Sequence, residues 1–191
     1  MRVLSISAAA LFAAITACSP DRTAPTEQSI SDAALPAAAK VAKEDRKFRT
    51  RLSGAEEVPV RVTDGRGKLK MKLSKDGNSL EYTLKVDDIS NVVASHIHLG
   101  PVGVNGGIVV FLYGPAAPGG GPAHGELASG TITAANLIGA LAGHPLSDLI
   151  ANIESGNAYA NVHTNDGVAP TNTGPGDFPG GEIRGQVHVH N

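Results

Sequence analysis

The sequence contains few cysteines, few aromatic residues and few charged residues. Its 191 residues include one cysteine, Cys18, no tryptophan, four phenylalanines and three tyrosines. One cysteine excludes an intramolecular disulfide, so the fold must be held together by its own packing or by a ligand. Charged residues make up 18% of the chain and the formal net charge is −2. This composition does not favour nucleic acid as a partner, because nucleic-acid binding needs a strongly basic surface.

The motifs of several enzyme classes are also absent. The chain has no Gly-x-Ser-x-Gly nucleophile elbow, no phosphate-binding loop and no cysteine nucleophile. Hydrolysis and phosphoryl transfer are therefore not supported, and a protein without enzymatic activity is favoured over an enzyme.

Glycine, proline and apolar residues are abundant. There are 23 glycines and 12 prolines, and 41% of the residues are hydrophobic. This mixture predicts many short strands joined by turns around a real core, rather than a helical bundle.

The first 18 residues have the pattern of an export signal that ends at a cysteine. Arg2 supplies a positive charge, and residues 3–17 form an apolar run of 15 positions, shorter than the ~20 that a membrane-spanning helix needs. The run ends in Ile15-Thr-Ala-Cys18, which resembles a bacterial lipobox, in which the cysteine is lipidated and becomes the mature N-terminus. Ser19 follows, which by resemblance to sorted lipoproteins indicates the outer membrane. An ordinary secretory signal cleaved near this point is the alternative.

The chain then divides into a tether and a domain. Residues 19–46 are rich in Ala, Pro, Ser and Thr and show no sustained apolar period, so we predict a disordered tether. Residues 47–191 are predicted to form a single β domain, held at the cell envelope by the N-terminal lipid anchor.

Period-2 alternation predicts the first strands of this domain. Leu69, Met71 and Leu73 alternate with three lysines, and a turn at residues 76–78 leads into a second alternating run over residues 80–86. The pair predicts an antiparallel hairpin with one apolar face. The lysines are interpreted as a solvated strand face that also discourages edge pairing.

The later strands are shorter and are interrupted by helices. Ile108–Tyr113 is predicted as a strand buried on both faces, and residues 126–132 as another strand. Short helices are predicted over residues 134–141 and 146–154. Seven or more short strands indicate an all-β, antiparallel Greek-key sandwich or barrel, with one or two short helices between the late strands.

Two histidines fall on one face of a predicted strand, residues 94–99. His96 and His98 alternate with Ile97 and Leu99, so both imidazoles point away from the apolar face. They lie roughly 6–7 Å apart along the backbone, close enough to share a metal ion. A third histidine, His163, ends another predicted strand over residues 158–163.

Four motifs carry a family resemblance: Ser53-Gly-Ala-Glu-Glu-Val-Pro59, Ser95-His-Ile-His-Leu-Gly-Pro101, Asn161-Val-His-Thr164 and Pro179-Gly-Gly-Glu-Ile-Arg-Gly-Gln186. Together they resemble the chordin-type (CHRD) domain over roughly residues 47–189. The resemblance implies an all-β, immunoglobulin-like or Greek-key fold, found in animal chordin, which binds secreted growth factors, and in many exported bacterial proteins. Residues 165–177 look like an insertion beside His163, where family members usually have a short turn.

A weaker similarity is to copper–zinc superoxide dismutase. That family also uses a His-x-His strand in a Greek-key barrel, with a late histidine, to hold copper. The disulfide of that family cannot form here, and a full set of zinc ligands is not evident. A shared architecture does not imply a shared reaction.

The candidate metal site is His96, His98 and His163, which could give a three-nitrogen site for Cu or Zn with an open position. Asp166 or Glu182 could add a carboxylate or orient an imidazole. The alternative is that His96 and His98 are polar-face strand residues that hydrogen-bond to loop backbone or pack with Asn161 and Thr164. The other histidines, His124, His144, His188 and His190, are interpreted as loop or terminal residues.

Arg184, on the strand face that also carries Glu182, is interpreted as a structural residue that supports the sheet or ties down the long loop over residues 164–181.

Three functions follow. The chain could be a surface-anchored interaction module with a protein partner, which is the favoured hypothesis. It could be an envelope metal-binding protein, which requires the ring nitrogens of the three histidines to converge within about 4 Å. It could also be a dismutase-like redox enzyme, which requires in addition an open coordination position.

Overall fold

The computed structural model describes residues 46–190. The predicted signal, residues 1–18, and the predicted tether, residues 19–46, lie outside this part apart from Arg46. Among the residues described, no helix has both the length and the apolar character needed to cross a membrane.

Nine strands and one α-helix make up most of residues 46–190. The strands are β1 (Lys47–Ser53), β2 (Arg66–Leu73), β3 (Leu80–Ser90), β4 (Val92–Leu99), β5 (Ile108–Tyr113), β6 (Pro122–Ile132), β7 (Ala158–Thr164), β8 (Ile183–Gln186) and β9 (His188–Val189). Helix α1 spans Leu146–Glu154, and short 3-10 turns span Gly54–Glu56, Ala134–Asn136 and Gly139–Leu141.

The strands form one antiparallel sheet in the order β5-β4-β7-β8-β1-β2-β3-β6, and β9 also pairs with β1. The two end strands, β5 and β6, approach each other, so the sheet curls into a nearly closed barrel. The prediction of an all-β antiparallel architecture is confirmed.

The hairpin of β2 and β3 follows the predicted alternation. Leu69, Met71 and Leu73 are buried in the core, whereas Lys68 and Lys70 are exposed. Strand β2 lies between β1 and β3, so it is not an edge strand. The interpretation that its lysines discourage edge pairing is therefore wrong.

Helix α1 closes part of the core. Its buried residues, Leu146, Leu149, Ile150 and Ile153, recur at the spacing of one helical face. The boundaries match the predicted helix over residues 146–154, and the apolar face packs with the inward side chains of the sheet.

The predicted helix over residues 134–141 is not formed. Leu137 and Ile138 are extended and separate two 3-10 turns. The cause is tertiary pairing, because the Ile138 N–H donates a hydrogen bond to the Val109 carbonyl of β5. An isolated helix of eight residues gains too little from its own hydrogen bonds to compete with this contact.

Two further details differ from the sequence-based expectations. Strand β5 is not buried on both faces, since Phe111 is 46% exposed. Strand β6 starts at Pro122 rather than near residue 126, so His124 belongs to a strand and not to a loop.

Candidate metal centre

Strand pairing brings the three candidate histidines to one face of the barrel. On β4 and β7, His96 lies opposite Asn161, and His98 lies opposite Tyr159. His163 is two residues beyond Asn161, which makes it the diagonal neighbour of His96 on the same face. Long side chains reach such a neighbour, so the register alone converts two distant segments into one cluster.

The three imidazoles lie close together, but as a set their nitrogens are farther apart than the ligands of one bound metal ion. His96 Nδ1 lies 3.1 Å from His163 Nε2. One ring nitrogen from each of His96, His98 and His163 can be chosen so that all lie within 4.8 Å of one another. Two nitrogens bound to one tetrahedral zinc at about 2.0–2.1 Å are roughly 3.3–3.4 Å apart. The 3.1 Å pair already has about this spacing, whereas the 4.8 Å limit for the set of three exceeds the expected convergence within about 4 Å, so binding would have to draw the rings together by about an ångström or more.

Backbone carbonyls fix the orientation of two of these rings. His98 Nδ1 is 2.9 Å from the Gly106 carbonyl oxygen, and His163 Nδ1 is 2.8 Å from the Pro179 carbonyl oxygen. A carbonyl only accepts, so each Nδ1 carries the hydrogen and each Nε2 keeps its lone pair. Metal-binding imidazoles are commonly held in this way through the nitrogen that does not bind the ion.

Asn161 lies between the two lone pairs. Its Oδ1 atom is 3.0 Å from both His98 Nε2 and His163 Nε2. Since both nitrogens accept in this tautomer, the amide oxygen cannot satisfy them, and rotating the amide by 180° would place its NH2 group toward the rings. A metal ion would replace these amide hydrogens.

His96 is the least satisfied member of the cluster. Its side chain is buried, and its Nε2 atom has no hydrogen-bond partner among the described residues. Its ring packs edge-on against the exposed Phe111, with centroids 4.5 Å apart. A buried nitrogen without a partner costs stability. The nitrogen of His96 that contacts His163 is Nδ1, so the unpartnered Nε2 is a different atom from the one in the 3.1 Å contact.

All three histidines are held in the neutral form. Burial is the largest cause in each case: it lowers the pKa of His96 to about 4, with further lowering by His163 and His98. Burial also lowers the pKa values of His98 and His163. A neutral imidazole is the form that binds metal ions, so no proton has to leave at neutral pH.

Arg184 acts behind the cluster. Its guanidinium lies 3.5 Å from the centre of the Tyr159 ring, and the same ring stacks on His98. Arg184 also donates to Asn105 Oδ1 and to the carbonyls of Pro101 and Val104. It therefore ties down the loop over residues 100–107, and not the loop over residues 164–181.

The loop over residues 100–107 depends on a glycine at the carbonyl that orients His98. A Cβ atom added at Gly106 would overlap the Leu99 carbonyl oxygen. The Gly106 N–H is 3.1 Å from the Tyr159 hydroxyl oxygen, which can accept it. No side chain larger than hydrogen fits this approach between loop and strand.

The two candidate carboxylates lie outside the cluster. Glu182 is fully buried and accepts hydrogen bonds from Thr63 Oγ1, Thr164 Oγ1 and the Gly176 N–H. Asp166 accepts from the Val168 N–H in an exposed turn. Glu182 instead fixes the end of the long loop, close to the Pro179 carbonyl that orients His163.

The remaining histidines are exposed and separate. His124 contacts Asp87 at 2.9 Å, and His144 contacts Asp148 at 2.8 Å. His124 also forms an exposed group with Asp87 and Asp88 that has metal-ligand spacing. Surface groups of this kind are common without an ion.

Sequence reasoning missed the buried polar residues around the cluster. Asn161, Arg184 and Glu57 were not proposed as site residues, yet each is buried. The Asn-Val-His spacing did place Asn161 on the face of His163, and that was the available signal. Glu57 lies in the Ser53–Pro59 motif, which carries the family resemblance but was not proposed as part of a site.

Comparison with known proteins gives one family. The CHRD domain family matches residues 48–187, which is most of the described chain. Neither the comparison with curated proteins nor that with solved structures gives a significant match.

Proposed function

The chain belongs to the CHRD domain family, and from that premise we propose that it is a binding protein of the cell envelope whose ligand is a copper or zinc ion. Family membership supports a binding or interaction module in general terms. The metal site, His96, His98 and His163, is what this chain adds to that general role.

One observation carries the proposal. Two neutral imidazoles have their Nδ1–H groups held by backbone carbonyls, so that their Nε2 lone pairs and a third, incompletely partnered imidazole converge. The alternative, in which the histidines only hydrogen-bond to loop backbone, accounts for the two Nδ1–H bonds but does not require three imidazoles to cluster. Imidazole donors suit both copper and zinc, so the donor set does not choose between them.

The test is a metal titration of residues 46–191. Cu(II), Cu(I) and Zn(II) are added in turn, and binding is followed by calorimetry and by metal content after gel filtration. We expect one ion per chain. In the His96→Ala/His98→Ala variant, affinity should fall at least about 100-fold, since the loss of a second-shell partner alone can cost that much.

The matched control is His124→Ala/His144→Ala. It removes the same number of imidazoles from exposed positions that contact Asp87 and Asp148. Binding that survives in the control and is lost in the site variant supports the proposal. No binding, or equal binding by all three proteins, contradicts it.

The envelope location is supported by the sequence of residues 1–18, which ends in the lipobox-like Ile15-Thr-Ala-Cys18. We propose that Cys18 is lipidated and that the domain is exported and anchored, at the outer membrane. Expression of the full chain in a Gram-negative host with labelled palmitate should label the wild type and not Cys18→Ser. Label in neither protein would favour an ordinary cleaved signal.

A second candidate function is an interaction module with a protein partner and no metal. Four exposed valines, Val60, Val62, Val102 and Val104, favour it, because they lie on two loops joined by the Asn105 Nδ2–Val58 O hydrogen bond. Failure of the metal titration would leave this candidate. A dismutase-like reaction would be assayed only if the site binds copper.

A further inference from the structure

The outer face of β1 and β2 is almost entirely cationic. We call it the cationic face; its residues are Lys47, Arg49, Arg51, Arg66, Lys68, Lys70 and Lys72, all exposed. These are seven of the 16 lysines and arginines in a chain whose formal net charge is −2. The charges are therefore segregated on the surface, and the net charge of the chain conceals the patch.

The register places like charges directly opposite one another. Arg49 pairs with Lys70, and Arg51 pairs with Lys68. Neighbouring positions on this grid are roughly 5 Å apart across the strands and about 7 Å apart along them. Like charges directly opposite each other in a sheet are destabilising, so this arrangement is maintained against a cost in stability.

Among the described residues, no acidic side chain is paired with the central cations across β1, β2 and β3. Glu81 and Asp87, on β3, lie opposite Lys72 and Arg66 at the two ends of β2. On the other side of β1, Arg49 Nη1 lies 3.5 Å from His190 Nε2, which is not an acidic partner. Edge protection does not explain the charges either, because β1 and β2 are both internal strands.

A groove opens on the same face. It has a volume of about 570 Å³, and its walls include Arg49, Arg51, Lys68, Gln186 and one acidic residue, Glu56. Three cations outnumber the one carboxylate, and cationic and amide side chains match the phosphate and glycerol groups of an anionic lipid headgroup.

We propose that the cationic face docks on a membrane surface that carries anionic headgroups. The charges of the face and of such a surface are complementary. The described chain begins at Arg46 and enters β1 at Lys47, so the segment leading from Cys18 joins the domain at one end of this face. The choice of a membrane, rather than another polyanion, rests on the proposed lipid anchor.

The test uses the full chain with Cys18→Ser, so that the face is measured without an attached lipid. Binding is measured by co-sedimentation with vesicles of phosphatidylcholine alone and of phosphatidylcholine mixed with phosphatidylglycerol. The apolar run over residues 3–17 contributes equally to all variants and is measured on the neutral vesicles. We expect preferential binding to the anionic vesicles, weakened by salt.

Two variants separate the face from net charge. Arg51→Gln/Lys68→Gln should weaken binding to the anionic vesicles about 25-fold, because each cation near such a surface contributes roughly fivefold. Ala135→Glu/Ala140→Glu changes the net charge by the same amount in two exposed turns away from β1 and β2, and should bind like the parent.

The stability of the variants distinguishes weaker binding from loss of the fold. Removing opposed like charges should raise the unfolding midpoint of Arg51→Gln/Lys68→Gln, so weaker binding by this variant cannot come from loss of fold. The proposal is overturned if the parent does not prefer anionic vesicles, or if both variants bind equally. It is also overturned if an anionic polysaccharide, but not the vesicles, distinguishes the two variants. Labelling of Cys18 is a separate result and can fail without affecting this one.

Discussion

The outer face of the sheet is exposed to solvent on β1 and β2 and covered by loops on β7 and β8. On β1 and β2 the inward residues are mostly apolar and buried, with the polar Thr50 among them, and the residues between them are exposed cations. On β7 and β8 the outer residues are buried as well: Tyr159, Asn161, Arg184 and Gln186 lie under loops. One half of the same sheet therefore meets solvent, and the other is covered.

The buried polar side chains on the covered half lie around the candidate metal site. A polar group taken out of water needs a partner, and nearly all of those under the loops have one. Arg184 and Gln186 bind loop carbonyls, and Glu182 binds two threonines. The exceptions among the described residues are His96 Nε2, Glu57 Oε1 and Asp177 Oδ1. Incomplete satisfaction is confined to the covered half.

Among these predictions, we expect the largest loss of stability from Arg184→Ala on the covered half. It removes three hydrogen bonds and the stacking on Tyr159, and it leaves Asn105 Oδ1 and the Val104 carbonyl without the arginine donor; the Pro101 carbonyl keeps its bond from the Val104 N–H. We expect a loss of about 3–5 kcal/mol in the free energy of unfolding, measured by urea denaturation. The comparison is Lys70→Ala on the exposed half, which should stay within about 0.5 kcal/mol of wild type. Equal losses would remove the distinction between the halves.

Acid should destabilise the covered half through His96. The folded-state pKa of this residue, about 4, is below the ordinary value of 6.5, so the unfolded chain binds more protons between these values. Stability is thus fully present above pH 6.5 and is lost as pH falls toward 4, by about 3 kcal/mol for this residue. Urea unfolding at pH 7 and pH 4.5 should show a smaller drop for His96→Gln than for wild type. The same drop in both would contradict the assignment.

Glu57 should have the opposite pH dependence. Burial raises its pKa to about 7, partly offset by Arg184, by the Val58 N–H and by Arg61. The folded state holds the proton more tightly, so this contribution is present below pH 4.5 and is lost as pH rises through about 7. Glu57→Gln should be about 2 kcal/mol more stable than wild type at pH 8, and the gain should vanish at pH 5. A variant less stable than wild type at pH 8 would show that the charged form is the favoured one.

The smallest effect is expected on the exposed half. Lys70→Gln removes one of two like charges that face each other across β1 and β2. We expect a gain of about 0.2–1 kcal/mol, measured by thermal and urea unfolding at low salt, because opposed like charges destabilise a sheet. The gain should shrink in high salt. A loss of stability would mean that the lysine stem packs on the sheet and outweighs its charge.

The exposed half was predictable from the sequence because apolar and charged residues alternate along its strands. Alternation at Leu69, Met71 and Leu73 fixes which side faces the core, and the turn at residues 76–78 fixes the partner strand. What alternation could not supply was the position of β2 in the sheet, which decides whether its lysines protect an edge. Strand order depends on contacts between residues far apart in sequence.

The covered half was predictable only in part. Alternation placed His96 with His98, and the motif around His163 supplied the third histidine. The roles of Arg184 and Glu182 depend on which loops fold over the sheet, and spacing along a strand does not contain that information. The predicted helix over residues 134–141 was wrong for the same reason, since the hydrogen bond between Ile138 and Val109 links two segments that are separated in sequence.

The place of β1 in the sheet has a consequence for how the protein is made. This first strand pairs with β2 and also with β8 and β9, the last strands, through Phe48–Val189 and Ser53–Arg184. The barrel therefore cannot close until the ribosome has delivered the C-terminal strands. Such long sequence separations also slow folding. A growing chain without its last strands therefore stays open for as long as its synthesis lasts.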